Sequence, residues 1–376
     1  MDVSIMAAGP WTAALLGMLG AEVIKVEPPA GDGTRWVAPT QRGMGTNFMS
    51  MNVNKKDIVL DFKKAEDRAT ALELAASCDI FVQNFRVGVI ERLGLDYESL
   101  RKVNPNLIYC AISGFGETGP LAKAGCADYI MQAFSGFARV NGAPGETLEA
   151  FRFTGFLDLT TASVATEAVL AAVLERELGG EGQKVEVSML EAALEIQCTR
   201  IAEYLGGALI PQPRGSESPA LAPDRAFPTL DVEVFVTAHN DAEFAGFCRA
   251  LGCPQLADDA RFKTNRLRVE NRAALFDAVA PLFRTRPALW WQRVMQREGV
   301  ACTQGFSFET FRHHQQVVMN EMIANVATRD WGTVSVAGTP WHFAQTPCVV
   351  QEPPRPGEDT AAVMADLAAR RTRGAA

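Results

Sequence analysis

Phe153-Thr-Gly-Phe-Leu-Asp158-Leu-Thr-Thr-Ala-Ser163 opens a long apolar segment that runs to Leu178. From Ala162 to Leu174 nearly every residue is Ala, Val or Leu, and Glu167 is the sole charge. A segment apolar almost all round predicts a helix buried inside a larger core, with Asp158 at its start. One reading makes Asp158 the N-cap, because a carboxylate suits the positive end of a helix dipole. In the other, Thr160, Thr161 or Ser163 takes the cap, and the Asp158 carboxylate stays free beside small residues and backbone N–H groups. A carboxylate so placed can act as a nucleophile toward an activated acyl group.

On either side of this segment, apolar runs at 21–27, 57–62, 78–85, 106–113 and 182–188 read as strands, with helical stretches at 11–19, 63–77 and 97–103 between them. Continuous apolar strands alternating with helices predict a Rossmann-like α/β domain, a parallel sheet covered on both faces. The opening residues hold little of a first strand. They predict either an upstream in-frame start or a strand cut to about 3–6, tolerated at a sheet edge. The large domain spans 1–205. Pro211-Gln-Pro213-Arg-Gly215-Ser-Glu-Ser-Pro219 marks a linker over 206–222. A smaller α+β domain follows over 223–310, and 311–376 returns to the first.

Composition narrows the function classes. The chain has 376 residues, 48% of them hydrophobic, and a net charge of −8 at pH 7. No stretch reads as a membrane span and the N-terminus lacks a signal pattern, so a soluble cytoplasmic protein is expected. The acidic balance argues against nucleic acid, the Arg370-Arg371-Thr-Arg373 tail reading as a solvated end. Eight scattered cysteines without CxxC pairs and four histidines spell no metal site. Lys55-Lys56 and Lys63-Lys64 are local cations that could meet phosphates. Gly114-Phe-Gly116-Glu-Thr-Gly119 satisfies G-x-G-x-x-G after a strand, but Pro120 and a Lys123-Ala-Gly125 turn follow where a Rossmann fingerprint runs into a helix, so NAD is not expected.

Residues 153–194 resemble the central signature of the family III CoA-transferases, the CaiB/BaiF group, including Gly182-Gln183 before the next strand. Further tracts match in the same order: Ala8-Gly9-Pro10, Ala21-Glu-Val-Ile-Lys-Val-Glu27, Asn54-Lys55-Lys56, Val82-Gln-Asn84-Phe85, Arg92-Leu-Gly94, Asn104-Pro-Asn106, and Asp128-Tyr-Ile-Met-Gln-Ala-Phe-Ser135-Gly136. The resemblance implies that Asp158 carries first an acyl group and then CoA. It places Ala8, Leu60, Lys63, Asn84, Phe85 and Arg92 where relatives contact CoA, and gives Asp128 a supporting role beside Asp158, with a helix N-cap as its alternative. Backbone N–H groups around Gly155, at the start of the buried helix, or in the Gly215-Ser-Glu-Ser loop are candidate oxyanion donors.

The same resemblance implies an acyl-CoA and a carboxylic acid as substrates, and an interlocked homodimer. Two departures shape the expectation further. Related α-methylacyl-CoA racemases have a His where this chain has Ala127, which disfavours a racemase. Formyl-type members have Gln at the place of Ala7 and an aromatic at Asn47, which disfavours formate or oxalate and favours a larger acid. A non-catalytic subunit of a heteromeric transferase remains the other rival.

Overall fold

The computed structural model describes residues 1–207 and 209–374, so residue 208 of the linker lies outside the described residues. Val23–Glu27 pairs in parallel with Lys55–Val59, while Ile80–Gln83, Ile108–Ser113 and Lys184–Ser188 form a second parallel run. Asp2 joins the two runs by parallel bridges to Lys25 and Val82. Its N–H donates to Ile24 O (2.8 Å), its carbonyl accepts from Val26 N–H (2.8 Å), and Val3 N–H donates to Val82 O (3.0 Å). The expected strand over 3–6 at an edge is thus corrected. The pairing residues are 1–3, and they lie innermost, with Met1 and Val3 packed among Val26, Phe81 and Tyr109. Ranked by chain order, the strands lie third, second, first, fourth, fifth, sixth. This is the doubly wound order whose ligand crevice opens at the carboxyl ends of the first and fourth.

Helices cover both faces. Ala8–Met18 and Phe156–Glu177 pack on one, through Ala8, Leu16, Ala165, Val169 and Ala172 against Val82, Ile108 and Ile112. Ala65–Ala76, Tyr97–Val103 and Thr360–Gly374 pack on the other, through Leu74, Leu100, Val363 and Leu367. The long helix differs from its expectation in that only one side is buried. Leu170, Leu174 and Leu178 are 42%, 61% and 80% exposed, because the sheet is wide enough to cover a single stripe. Its length and apolarity alone would also let it cross a membrane, contrary to the reading that no stretch does. After the last strand come two helices: Met189–Glu195, started by a Ser188/Glu191 capping box, and Cys198–Gly207, with no buried residue.

The first unit comprises 1–138, 150–210 and 316–376, and the second 139–149 and 211–315. The second is a three-stranded antiparallel sheet, ordered Ala301–Gln304, Val234–Thr237, Asp224–Phe227. Helices Asp241–Ala250, Arg272–Phe283 and Ala288–Arg297 close its core on Phe227, Phe247, Phe283 and Trp291. No linker signal in the sequence marks the strap 139–149 as part of this unit. It is tied there by Gly215 N–H donating to Gly142 O (2.7 Å).

Under the first unit's sheet lies a buried ionic network. Lys55 Nζ donates to Asp2 (2.9 Å), Asn52 (2.8 Å) and Pro10 O (2.7 Å), and Lys25 Nζ donates to Asp32 (3.2 Å) and Ser4 O (3.1 Å). Arg35 grips Glu27 through Nε (2.9 Å) and Nη2 (2.8 Å) and stacks on the Phe48 ring. Lys55 therefore cannot meet a phosphate as its sequence position suggested, and Lys56 pairs with Glu22. Of the basic C-terminal run, Arg370 has a described side chain and pairs with Asp366 (2.7 Å); the side chains from 371 on lie outside the described residues.

Asp57 is the network's proton holder. Burial, then the hydrogen bond and charge of Glu27, push its carboxyl up to about 8. Gly357 N–H donates to Asp57 Oδ1 (2.6 Å), and Asp57 N–H donates to Asp359 (2.9 Å), so the same residue anchors the C-terminal segment. A carboxyl raised in the folded state contributes stability that is full below its ordinary 3.8 and lost as pH rises through about 8. Asp57→Asn, which keeps a donor toward Glu27, is expected to flatten the fall in melting temperature between about pH 5 and 8. Parallel melting-temperature curves for parent and variant across that range would contradict the shared proton.

Candidate active site

The parallel strands deliver their following loops to one edge of the sheet. At the crevice between the first and fourth strands, Asn84 Oδ1 accepts from Ile5 N–H (2.9 Å) and Nδ2 donates to Ile5 O (2.7 Å). Its amide thus continues the ladder where the two strands part, and this holds the turn that leads into the helix at Ala8. Gly9 is required there, since a Cβ would lie 2.3 Å from that of Ser4. Leu60 is buried in the core and Phe85 packs half-buried against the same cluster. Lys63 and Arg92 are exposed and make no ion pair among the described residues. Leu60 and Lys63 follow the third strand and Asn84 and Phe85 the fourth, so the parallel order puts these loops at one edge of the sheet. Arg86 is a further cation that sequence reasoning missed. Its guanidinium packs over Gly125, 2.8 Å from where a Cβ there would sit.

The central helix begins at Phe156, which makes Asp158 its third residue and not its cap. The cap comes from another element. Asp128 is buried at the start of the helix Asp128–Phe134, and its Oδ2 accepts from Leu157 N–H (2.6 Å) and Asp158 N–H (3.0 Å). Asp128 is thus not the cap of its own helix, a position Ala127 occupies, but of the helix that carries Asp158. Thr160, Thr161 and Ser163 do not compete for the cap. Their hydroxyls donate back to the carbonyls of Phe156 (2.8 Å), Leu157 (2.6 Å) and Leu159 (3.2 Å). Phe156 N–H donates to Thr154 O and Leu159 N–H to Gly155 O, both 2.9 Å. The N–H groups of Phe156, Leu157, Asp158 and Leu159 are therefore already used within the fold.

Relieved of capping, the Asp158 carboxylate makes no hydrogen bond or ion pair among the described residues. Burial pushes its carboxyl up to about 7, with the Asp128 charge adding to the shift. Gly155 provides the room beside it, as a Cβ there would stand 2.9 Å from Asp158 Oδ2. The Cys126 thiol is pushed up to about 11 by burial and then by the charge of Asp158, so it stays protonated. Phe151, Phe137 and Phe153 form an aromatic wall at the helix start, Phe151 and Phe137 lying 5.9 and 5.6 Å from Phe156.

Gly114 explains the glycine motif without a dinucleotide. A Cβ there would sit 2.3 Å from Cys126 Cβ, so the glycine admits the returning Cys126 loop, and the next helix starts only at Asp128. The Gly215-Ser-Glu-Ser loop belongs to the second unit. No cluster of three or more His, Cys, Asp or Glu arranged for a metal occurs among the described residues. A cavity of about 680 Å³ lies at the opposite, amino edge of the sheet beside Val23, Ile80 and Val363, away from Asp158.

Residues 1–360 match the family model described as CoA-transferase family III. The chain is 33% identical over 356 residues to succinyl-CoA:glutarate CoA-transferase of Mus musculus, covering 94% of this chain and 81% of that protein. It is 35% identical over 301 residues to acetyl-CoA:oxalate CoA-transferase of Acetobacter aceti, covering 80% and 77%. The solved structure of a CAIB/BAIF family protein from Brucella suis superposes with a TM-score of 0.87 at 30% identity, covering 97% of each chain. The match over nearly the whole length, together with the doubly wound sheet and the carboxylate at its carboxyl edge, places this chain in CoA-transferase family III.

Proposed function

We propose that Asp158 is the nucleophile by which this enzyme moves CoA from an acyl-CoA donor to a free carboxylic acid. The observation that carries the assignment is the division of labour between two carboxylates: Asp128 caps the helix and leaves Asp158 without a partner among the described residues. An Asp158 oxygen attacks the thioester carbonyl, the C–S bond breaks, and CoA thiolate leaves a mixed anhydride. The thiolate then attacks the aspartyl carbonyl, which releases the donor's carboxylate and leaves an aspartyl-CoA thioester. The acceptor carboxylate displaces CoA to form a second anhydride, and the thiolate attacks its acyl carbon to give the new acyl-CoA and free Asp158. Thioester and anhydride are similarly activated, so positioning and exclusion of water do most of the work.

The N–H groups of Ala8 and Gly9 are the proposed oxyanion donors. Their helix runs beside the central helix in the same sense, linked where Thr12 Oγ1 reaches Ala162 O (3.4 Å), so two positive helix ends face one edge. Lys63, Arg86 and Arg92 would hold CoA phosphates along that edge, with Leu60 and Phe85 as the apolar support. Asn84 holds the Ile5 turn. Short dicarboxylic acids are the proposed acceptors, by analogy with the relatives named for glutarate and oxalate. The oxalate relative weighs against the size argument drawn from Ala7 and Asn47. A racemase stays disfavoured by Ala127. A cytoplasmic location fits the eight unpaired cysteines.

Incubation with succinyl-CoA or acetyl-CoA and hydroxylamine should leave an aspartyl hydroxamate at 158 by peptide mass. Asp158→Asn should lose that adduct and about 10³-fold or more of the transferase rate with glutarate or oxalate. An Asn variant as fast as the parent would remove Asp158 from the chemistry. Because the nucleophile must be ionised and its carboxyl is raised to about 7, the transferase kcat/KM should fall tenfold per unit below that pH. A rate independent of pH between about 5 and 8 would exclude this group as the one titrating.

A homodimer belongs to the same reading. The exposed stripe Leu170, Leu174 and Leu178 and the unburied helix Cys198–Gly207, with Tyr204 and Leu205 outward, are apolar surface that a second copy would cover. Light scattering should give twice the 40.7 kDa chain mass. Leu174→Glu combined with Leu178→Glu should shift the protein toward one chain per particle, whereas an unchanged mass would put the interface elsewhere.

A further inference from the structure

Gln132 is completely buried (0% exposed) and lies one turn after Asp128 on the helix Asp128–Phe134. Its Nε2 donates to Asp128 Oδ1 and to Phe151 O (3.0 Å), while its Oε1 accepts from Phe151 N–H (2.7 Å). An amide that both donates to and accepts from one residue's backbone has a single orientation, so Nε2 must face Asp128. Asp128 in turn holds Leu157 and Asp158 through its other oxygen. One short helix therefore grips the chain at Phe151 and again at Asp158. The stretch between the grips contains Gly155, against which the Asp158 carboxylate lies.

We propose that Gln132 is a positioning residue for the transferase reaction, a role that rests on Asp158 being the nucleophile. It fixes Asp128 and the segment Phe151–Asp158 as one rigid span, so that the nucleophile's helix start is set from outside its own helix. It also supplies the third hydrogen bond to Asp128, after the two backbone N–H groups. Asp158 then ionises against a fixed negative neighbour. The titratable groups facing the two carboxylates are each other and the Cys126 thiol; Arg152 from the preceding loop is turned onto the Tyr129 ring (4.2 Å).

Two variants of the full chain test this, assayed with whichever of succinyl-CoA and acetyl-CoA forms the hydroxamate on the parent. Gln132→Met keeps the length and removes the donors and acceptor. It should lower kcat by about 10- to 100-fold while KM for the acyl-CoA stays within about threefold. Gln132→Glu restores a donor and an acceptor only while protonated, so its kcat relative to the parent should be higher at about pH 6 than at about pH 8. If the Met variant does not fold, this pH dependence decides. A Met variant with the parent's kcat, or a Glu variant with the same relative kcat at both pH values, would overturn the role. Absence of the hydroxamate on the parent would instead count against Asp158 itself.

Discussion

A carboxylate on one helix supplies the cap of another, and the site at the sheet's carboxyl edge depends on that exchange. The first turn of Phe156–Glu177 presents N–H groups whose needs are met by Thr154, Gly155 and, for the middle pair, Asp128. Had Asp158 served as its own helix's cap, its oxygens would be tied to backbone and its carboxyl lowered by those bonds. Instead burial governs it and raises it. A group both desolvated and unpaired costs stability, on the order of a few kcal/mol once ionised, and such a cost is typical of residues kept for chemistry.

Much of the fold was legible because its signals are local. The strands at Ile108–Ser113 and Lys184–Ser188 and the helix Tyr97–Val103 follow from apolar runs and their punctuation, within a residue or two at each end. The family could be read from ordered short tracts, and the importance of Asp158 came with it. What stayed hidden were relations across distance. Asp128 capping Leu157 spans 29 positions, and Asn84 gripping Ile5 spans 79. No periodicity encodes either. Residues 1–3 gave no strand pattern at all, because three residues in the middle of a sheet are specified by their neighbours on both sides and not by their own alternation.

The glycines teach a similar lesson about motifs. Gly114, Gly116 and Gly119 satisfy a dinucleotide fingerprint letter by letter, yet the first admits the Cys126 loop and the other two adopt positive φ in turns. Lys55 likewise looks like a phosphate ligand in sequence but spends its charge on Asp2 under the sheet. In both cases residue type was right for the imagined partner, and burial assigned a different one.

The chain passes between its two units at 138, 149, 210 and 315, so the smaller unit is not one continuous piece of sequence. The strap 139–149, bound to Gly215 through Gly142, is synthesised well before the remainder of its unit. It must wait, unpaired, while the ribosome completes the central helix and the sixth strand. Excising 211–315 alone would leave that partner behind, and maturation of the two units is thereby coupled by the order in which the polypeptide emerges.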